Sequence, residues 1–305
     1  MTSSGDTVPT IPGAHPTPVS RAARRVLILG GTAEARELAG LLSQAGFEPV
    51  TSLAGITQSP SQRPGEIRSG GFGGVEGLLR YVAAERFCAL VDATHPFATT
   101  ISNYAKEAAE RSGLPLLRLE RPAWAPERGD RWIEVANNFA AVSAIPPAAR
   151  VLLTIGRKEI LPYFARTDIS GIARMIEPPE PFPFGSPGSE WVKGLGYKYS
   201  GALPHRQSRE TLAGSAREIE VTGNWRILQA KPPFSVAEEL RLLSDNSISL
   251  LVAKNSGGEE THAKLVAARM KGIEVIMIRR PRKREAPTVA DPRSALTFLD
   301  QVVSA

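Results

Sequence analysis

The chain has 305 residues, 42% of them apolar and 22% charged, with a formal net charge of +6 at pH 7, a composition that excludes default disorder and leaves room for two domains of ordinary size. One cysteine, Cys88, excludes an intrachain disulfide and any cysteine-cluster metal site, so no metal is expected. No stretch approaches the roughly 20 apolar residues that span a bilayer and no signal-peptide layout is present, so a cytoplasmic protein without a membrane partner is expected.

Residues 1–23 combine four prolines with small polar residues and no periodicity, the pattern of a disordered leader. From Arg24 onward, RVLILGG at 25–31 reads as a buried strand, and Ala35, Leu38, Ala39, Leu41 and Leu42 recur at helical spacing over 33–45. A strand at 48–53, a helix at 75–85, a strand at 88–92, a helix at 98–112 and a strand at 115–119 continue the alternation. This order predicts an α/β protein with a parallel sheet covered on both faces.

The turn-rich RPAWAPERGD at 121–130 is read as a boundary between a first lobe, 24–121, and a second, 122–305. Beyond it come RWIEV, a short helix and a strand at 149–156. Further strands are expected at 171–176, 225–230, 248–253 and 273–278, with helices at 235–244, 259–271 and 292–303. Residues 178–224 contain PPEPFPFGSPG and little periodicity, so they are expected to lack regular structure, with a long insertion or flap around 183–224.

The sharpest local signal is VLILGGTAEAR at 26–36, a strand running into two glycines and a helix. Gly30 suits a tight turn, Gly31 a close backbone approach, and Thr32 with the free N–H groups of the first helical turn suits an anion. Because GGTAEA is not the full G-x-G-x-x-G pattern, a βα turn without a ligand remains the other reading. The second strand ends in VTSLAG, with Thr51 and Ser52 and no acid to hold a ribose 2′-hydroxyl, which favours NADP over NAD. The third strand ends in Asp92-Ala93-Thr94-His95-Pro96-Phe97-Ala98, at the sheet edge where such folds bind ligands. It reads either as a pocket wall or as a helix-capping turn, with Pro96 starting the next helix.

GGTAEAR followed by DATHPFA resembles the precorrin-6A reductase family of cobalamin biosynthesis. The likeness continues through RLERPAW at 118–124, LLTIGRKEI at 152–160 and LVAKNSGGEETHAKLVAARMKGIEVIMIRRP at 251–281. The resemblance implies two Rossmann-like lobes with parallel sheets and a cleft between them. NADPH would lie in the cleft, with the macrocycle above its nicotinamide, and precorrin-6A would be reduced to precorrin-6B. It implies cofactor contacts at Gly30, Gly31, Thr32, Glu34, Ala35 and Arg36, at Ser52, Ala54 and Gly55, and at Asp92, Thr94, His95, Pro96 and Phe97.

A polycarboxylate substrate needs cations, and Arg157, Lys158 and Lys254 follow predicted strands, with Ser256, Gly257 and Gly258 as backbone donors. His95 and Lys158 are the candidate catalytic residues, His95 as a proton donor. Two departures from the family stand out: AKPPF at 230–234 and the length of the segment near 183–224. The cluster RRPRKR at 279–284 lacks interleaved aromatics, so nucleic acid is not expected, and Lys283 within it is expected to be an indifferent surface charge. Hand-over to other corrin-pathway enzymes is compatible with this reading. The rival readings are an S-adenosylmethionine-dependent tetrapyrrole methyltransferase, a non-catalytic NADP-binding sensor and a lyase acting on a linear tetrapyrrole.

Overall fold

The computed structural model describes residues 24–54, 64–177, 208–210, 217–222 and 224–304. The expected leader, Gly55 and most of the segment around 183–224 lie outside them. Fourteen strands among the described residues form two sheets, one of six strands and one of eight.

The first sheet is wholly parallel. At its centre lies β1 (Arg25–Leu29), whose apolar run buries both faces between β2 (Glu48–Leu53) and β4 (Ala89–Asp92). Outside these stand β3 (Glu66–Ser69) on one side, and β5 (Leu116–Leu119) and β14 (Thr288–Val289) on the other. Helices α1 (Ala33–Gln44) and α8 (Pro292–Ser304) pack on one face, and α2 (Val75–Glu85) and α3 (Thr99–Ser112) on the other. Each face closes a separate apolar layer, as fully covered parallel sheets require.

The second sheet repeats the plan around β7 (Arg150–Thr154), with β12 (Leu250–Lys254), β13 (Glu274–Ile278) and β6 (Trp132–Val135) to one side. To the other side run β8 (Ser170–Met175), β11 (Trp225–Gln229), β10 (Arg217–Thr222) and β9 (Ser208–Glu210). Its faces are covered by α4 (Asn138–Ala144) and α5 (Leu161–Phe164), and by α6 (Val236–Asp245) and α7 (Ala263–Lys271). The sheet is not purely parallel, because β10 runs antiparallel to both β11 and β9. Two strands therefore stand where the sequence pattern predicted no regular structure.

The expected division at residue 121 also needs correction. The chain leaves the second sheet after β13 and returns to the first, where β14 adds to β5 and α8 packs against α1. Ala295 and Leu299 are fully buried there, so the first lobe is completed by the C-terminal segment. Strand order reverses between β1 and β4 in one sheet and between β7 and β12 in the other. Open α/β sheets bind ligands in a crevice at the carboxyl edge beside such a reversal, so the ends of β1 and β4 and of β7 and β12 are the candidate crevices.

Replacing Leu299 by Ala deletes buried methyl groups from the first lobe's own core. The expected loss is about 2–5 kcal/mol in denaturant unfolding, and a loss below about 0.5 kcal/mol would place α8 outside that core.

Candidate functional site

The turn after β1 is built as an anion seat. Thr32 is the N-cap of α1; its hydroxyl accepts from Ala35 N–H at 3.1 Å and donates to Ala93 O at 2.9 Å. That bond ties the ends of β1 and β4 together across the crevice. Gly30 is required by packing, since a Cβ there would lie 2.7 Å from Thr51 Cγ2. Gly31 is exposed, with φ +124 and open space where a Cβ would stand. It leaves the peptide edge free for a ligand, but any side chain there strains the turn. Arg36 and Ala54 are exposed at this edge, whereas Ala35 is fully buried and can meet no cofactor with its side chain.

The turn after β4 divides its residues between support and surface. Asp92 is 1% exposed; one oxygen accepts from the Thr94 hydroxyl at 2.7 Å and the other from Arg118 Nε at 3.2 Å. Thr94 also contacts Ser102 of α3 at 3.2 Å. Asp92 and Thr94, expected at the cofactor, are therefore occupied in holding the turn. Pro96 is buried within it and α3 starts only at Thr99, so proline does not open the helix. The surface of the turn is left to His95 and Phe97.

The second crevice faces this turn. Lys254 Nζ lies 5.1 Å from the Phe97 ring centroid and 2.9 Å from Glu159. Lys158 is exposed and has no ion pair among the described residues, while Arg157 lies 3.7 Å from Glu177. The glycines after β12 serve packing: a Cβ on Gly257 would meet Pro122 O at 2.1 Å, and one on Gly258 would meet Arg121 Nε at 2.8 Å. The Ser256 carbonyl is likewise engaged, accepting from Arg121 Nε at 2.8 Å and from Arg280 Nη2 at 3.1 Å.

Sequence reasoning missed the polar residues that join the lobes. Each charged side chain of RLER at 118–121 meets a different motif: Arg118 meets Asp92, Glu120 meets Arg280 and Lys283, and Arg121 meets Glu34. Glu34 is thus paired with Arg121 at 2.7 Å. Lys283 is no indifferent surface charge, being 6% exposed and 2.7 Å from Glu120. Within the basic cluster Arg284 pairs with Glu110 at 2.9 Å as well, so the run is in part neutralised by its own fold.

Also missed were Asn255, whose amide bonds both the N–H and the C=O of Trp124, and Lys264. The latter is 4% exposed, with its ammonium 4.9 Å from the Trp124 ring centroid. Burial, and then the charge of Arg174, lower its pKa to about 7. Arg68 of β3 went unnoticed for want of a predicted strand. It donates to Ser52 Oγ at 3.2 Å and lies 3.9 Å from the Phe72 ring centroid.

His95 stands where the two crevices meet. Loss of hydration within the protein wall, followed by the cations Arg121, Lys254, Lys283 and Arg280, pushes its pKa down to about 3. Solvent still reaches the ring, and the four cations act on it all the same. Phe97 N–H donates to Nδ1 at 3.3 Å, which leaves Nε2 to carry the ring hydrogen. In these surroundings the neutral ring offers a hydrogen bond through Nε2.

Because this pKa lies below the ordinary 6.5, the unfolded chain takes up the proton first. The stability tied to neutral His95 is full above about pH 6.5 and is lost as the pH falls toward 3. A ring NMR titration should show His95 neutral from about pH 8 to 5; a midpoint near 6.5 would contradict the depressed value.

The family model for precorrin-6x reductase CbiJ/CobK matches residues 25–196 and 211–300. A precorrin-6A reductase from Sinorhizobium sp is 39% identical over 274 residues, covering 89% of this chain and 91% of its own. A cobalt-precorrin-6A reductase from Priestia megaterium is 24% identical over 263 residues, 84% of this chain and 91% of that one. Among solved structures, CobK precorrin-6A reductase superposes with a TM-score of 0.75 at 35% identity, covering 91% of this chain and 96% of that one. With residues from both lobes matched over nearly the whole chain, the chain belongs to the precorrin-6x reductase family.

Proposed function

We propose that this chain reduces precorrin-6A, with NADPH as its reductant, in the space where the two carboxyl-edge crevices meet. The observation that carries the reading is the direct apposition of those crevices, marked by Lys254 against Phe97 and by Arg121 between α1 and the β12 loop. A single-lobe nucleotide sensor would need no second crevice.

The residues present fit NADPH. The Gly31 edge and the α1 N-terminus can seat a pyrophosphate. At the ends of β2 and β3, Ser52 and Arg68 stand together with no carboxylate between them, a pairing suited to a 2′-phosphate. When bound, the nicotinamide supplies a hydride. The chain's own residues do the rest: Thr32 fixes the turn, neutral His95 offers Nε2–H, and Arg121, Lys254, Arg280 and Lys283 set a positive field. Three carboxylates, Glu34, Glu159 and Glu120, pair with those four cations, and the excess of positive charge favours a polyanionic macrocycle. Exposed Lys158 and half-buried Arg157 line the same side and would meet substrate carboxylates.

The higher identity to a precorrin-6A reductase than to a cobalt-precorrin-6A reductase supports a substrate without cobalt. No helix among the described residues is long and apolar enough to cross a membrane, and a cytoplasmic setting suits the reading.

Arg68→Ala tests the cofactor assignment. NADPH should bind roughly tenfold to a hundredfold more weakly, the worth of a charge-assisted hydrogen bond, while NADH binding barely changes. Equal losses for both nucleotides, in a variant that melts normally, would remove Arg68 from the 2′-phosphate site.

A further inference from the structure

We infer that Arg121 and Glu34 form a clasp that holds the two crevices at working distance, which makes both of them positioning residues for the reduction; the inference rests on the reading above. Arg121 leaves the first sheet just after β5 and reaches both halves of the site. Its Nη1 donates to Glu34 Oε2 at 2.7 Å, in the first turn of α1, while Nε donates to the Ser256 carbonyl at 2.8 Å, in the loop after β12.

A guanidinium holds these two donors at a fixed angle, which an ammonium does not. The surroundings are shaped to that group. Gly258 leaves the space that the guanidinium occupies, since a Cβ there would stand 2.8 Å from Nε. Arg280 closes the other side, its Nη1 donating to the Arg121 carbonyl at 2.9 Å and its Nη2 to the Ser256 carbonyl. Both partners of the clasp are mostly shielded, with side-chain exposures of 17% and 20%, so solvent screens the pair less than a surface ion pair.

The pair has a second consequence. Glu34 is the acidic residue in the first turn of α1, where a free carboxylate would repel an incoming pyrophosphate. Pairing with Arg121 neutralises it. The clasp therefore acts on two separable quantities: cofactor affinity through charge, and turnover through the placement of one crevice over the other.

A double-mutant cycle separates them, with NADPH affinity read by titration and kcat read at saturating NADPH and precorrin-6A. Glu34→Gln removes the acid and leaves the clasp only a neutral, weaker hydrogen bond, so NADPH should bind as tightly as before or more so while kcat falls about tenfold. Arg121→Ala leaves the acid bare and should weaken both. Adding Glu34→Gln to Arg121→Ala should restore NADPH affinity but not kcat, and Arg121→Lys should recover part of kcat through its remaining bond to Glu34.

A clasp that only stabilised the fold would move melting temperature without splitting affinity from turnover. Loss of NADPH affinity in Glu34→Gln would make Glu34 a cofactor ligand and overturn the inference, as would an unchanged kcat. Should Arg121→Ala fail to fold, Glu34→Gln and Arg121→Lys still decide the matter. If the wild-type protein binds NADPH but does not turn over precorrin-6A, the proposed reaction fails, while the affinity arm of the cycle still tests the charge neutralisation.

Discussion

Glu120 is the residue on which the arrangement of the two lobes turns. The chain crosses between the sheets twice, outward after β5 and back after β13, and both crossings pass the carboxyl edges where the crevices open. Glu120, on the outward crossing, accepts from Arg280 at 3.1 Å and from Lys283 at 2.7 Å on the return. One mostly buried carboxylate thus binds two cations and fixes the crossings side by side. Such a group adds little net stability over a well-packed apolar contact, but its removal leaves two cations without their counter-charge in a poorly hydrated place. Its value lies in specifying one arrangement of the lobes.

From that constraint the character of the site follows. Crossings tied at the carboxyl edges bring the turn after β4 against the loop after β12, and both turns are rigid for local reasons. Asp92 is locked by Thr94 and Arg118, and Asn255 clamps the backbone of Trp124. Carboxylates and cations that could have formed a solvated surface are spent on internal pairs. What remains toward the cleft is an open Gly31 edge, the neutral ring of His95, Phe97 and an excess of positive charge. That combination suits anionic ligands.

The sequence made the central strands legible because each is a short apolar run buried on both faces, as RVLIL and LLVAK show. It also made the edge turns legible, since glycine, threonine and proline cluster there. Other features escaped for physical reasons. β3 reads EIRS, with exposed and half-buried side chains only, so no apolar run marks it and Arg68 stayed hidden with it. β14 is two residues long, too short for any periodicity, and so the return of the C-terminal helix to the first lobe could not be read. Gly257 and Gly258 looked like donors to a ligand because local sequence does not reveal that Pro122 and Arg121 press against them. The family motifs fall on the turns at the carboxyl ends of β1, β4, β7 and β12. They did not separate residues that face the cleft from residues such as Asp92 and Glu34 that build its walls.

The central claim is that the facing crevices carry out one hydride transfer between a nicotinamide and a tetrapyrrole. It is tested most directly by incubating the protein with NADPH deuterated at the transferable C4 position and with precorrin-6A, then weighing the product. The account predicts a macrocycle that has gained one deuterium from the cofactor and one protium from solvent, with NADP+ formed in equal amount. A product without deuterium, or NADPH oxidised with the macrocycle unchanged, would contradict it.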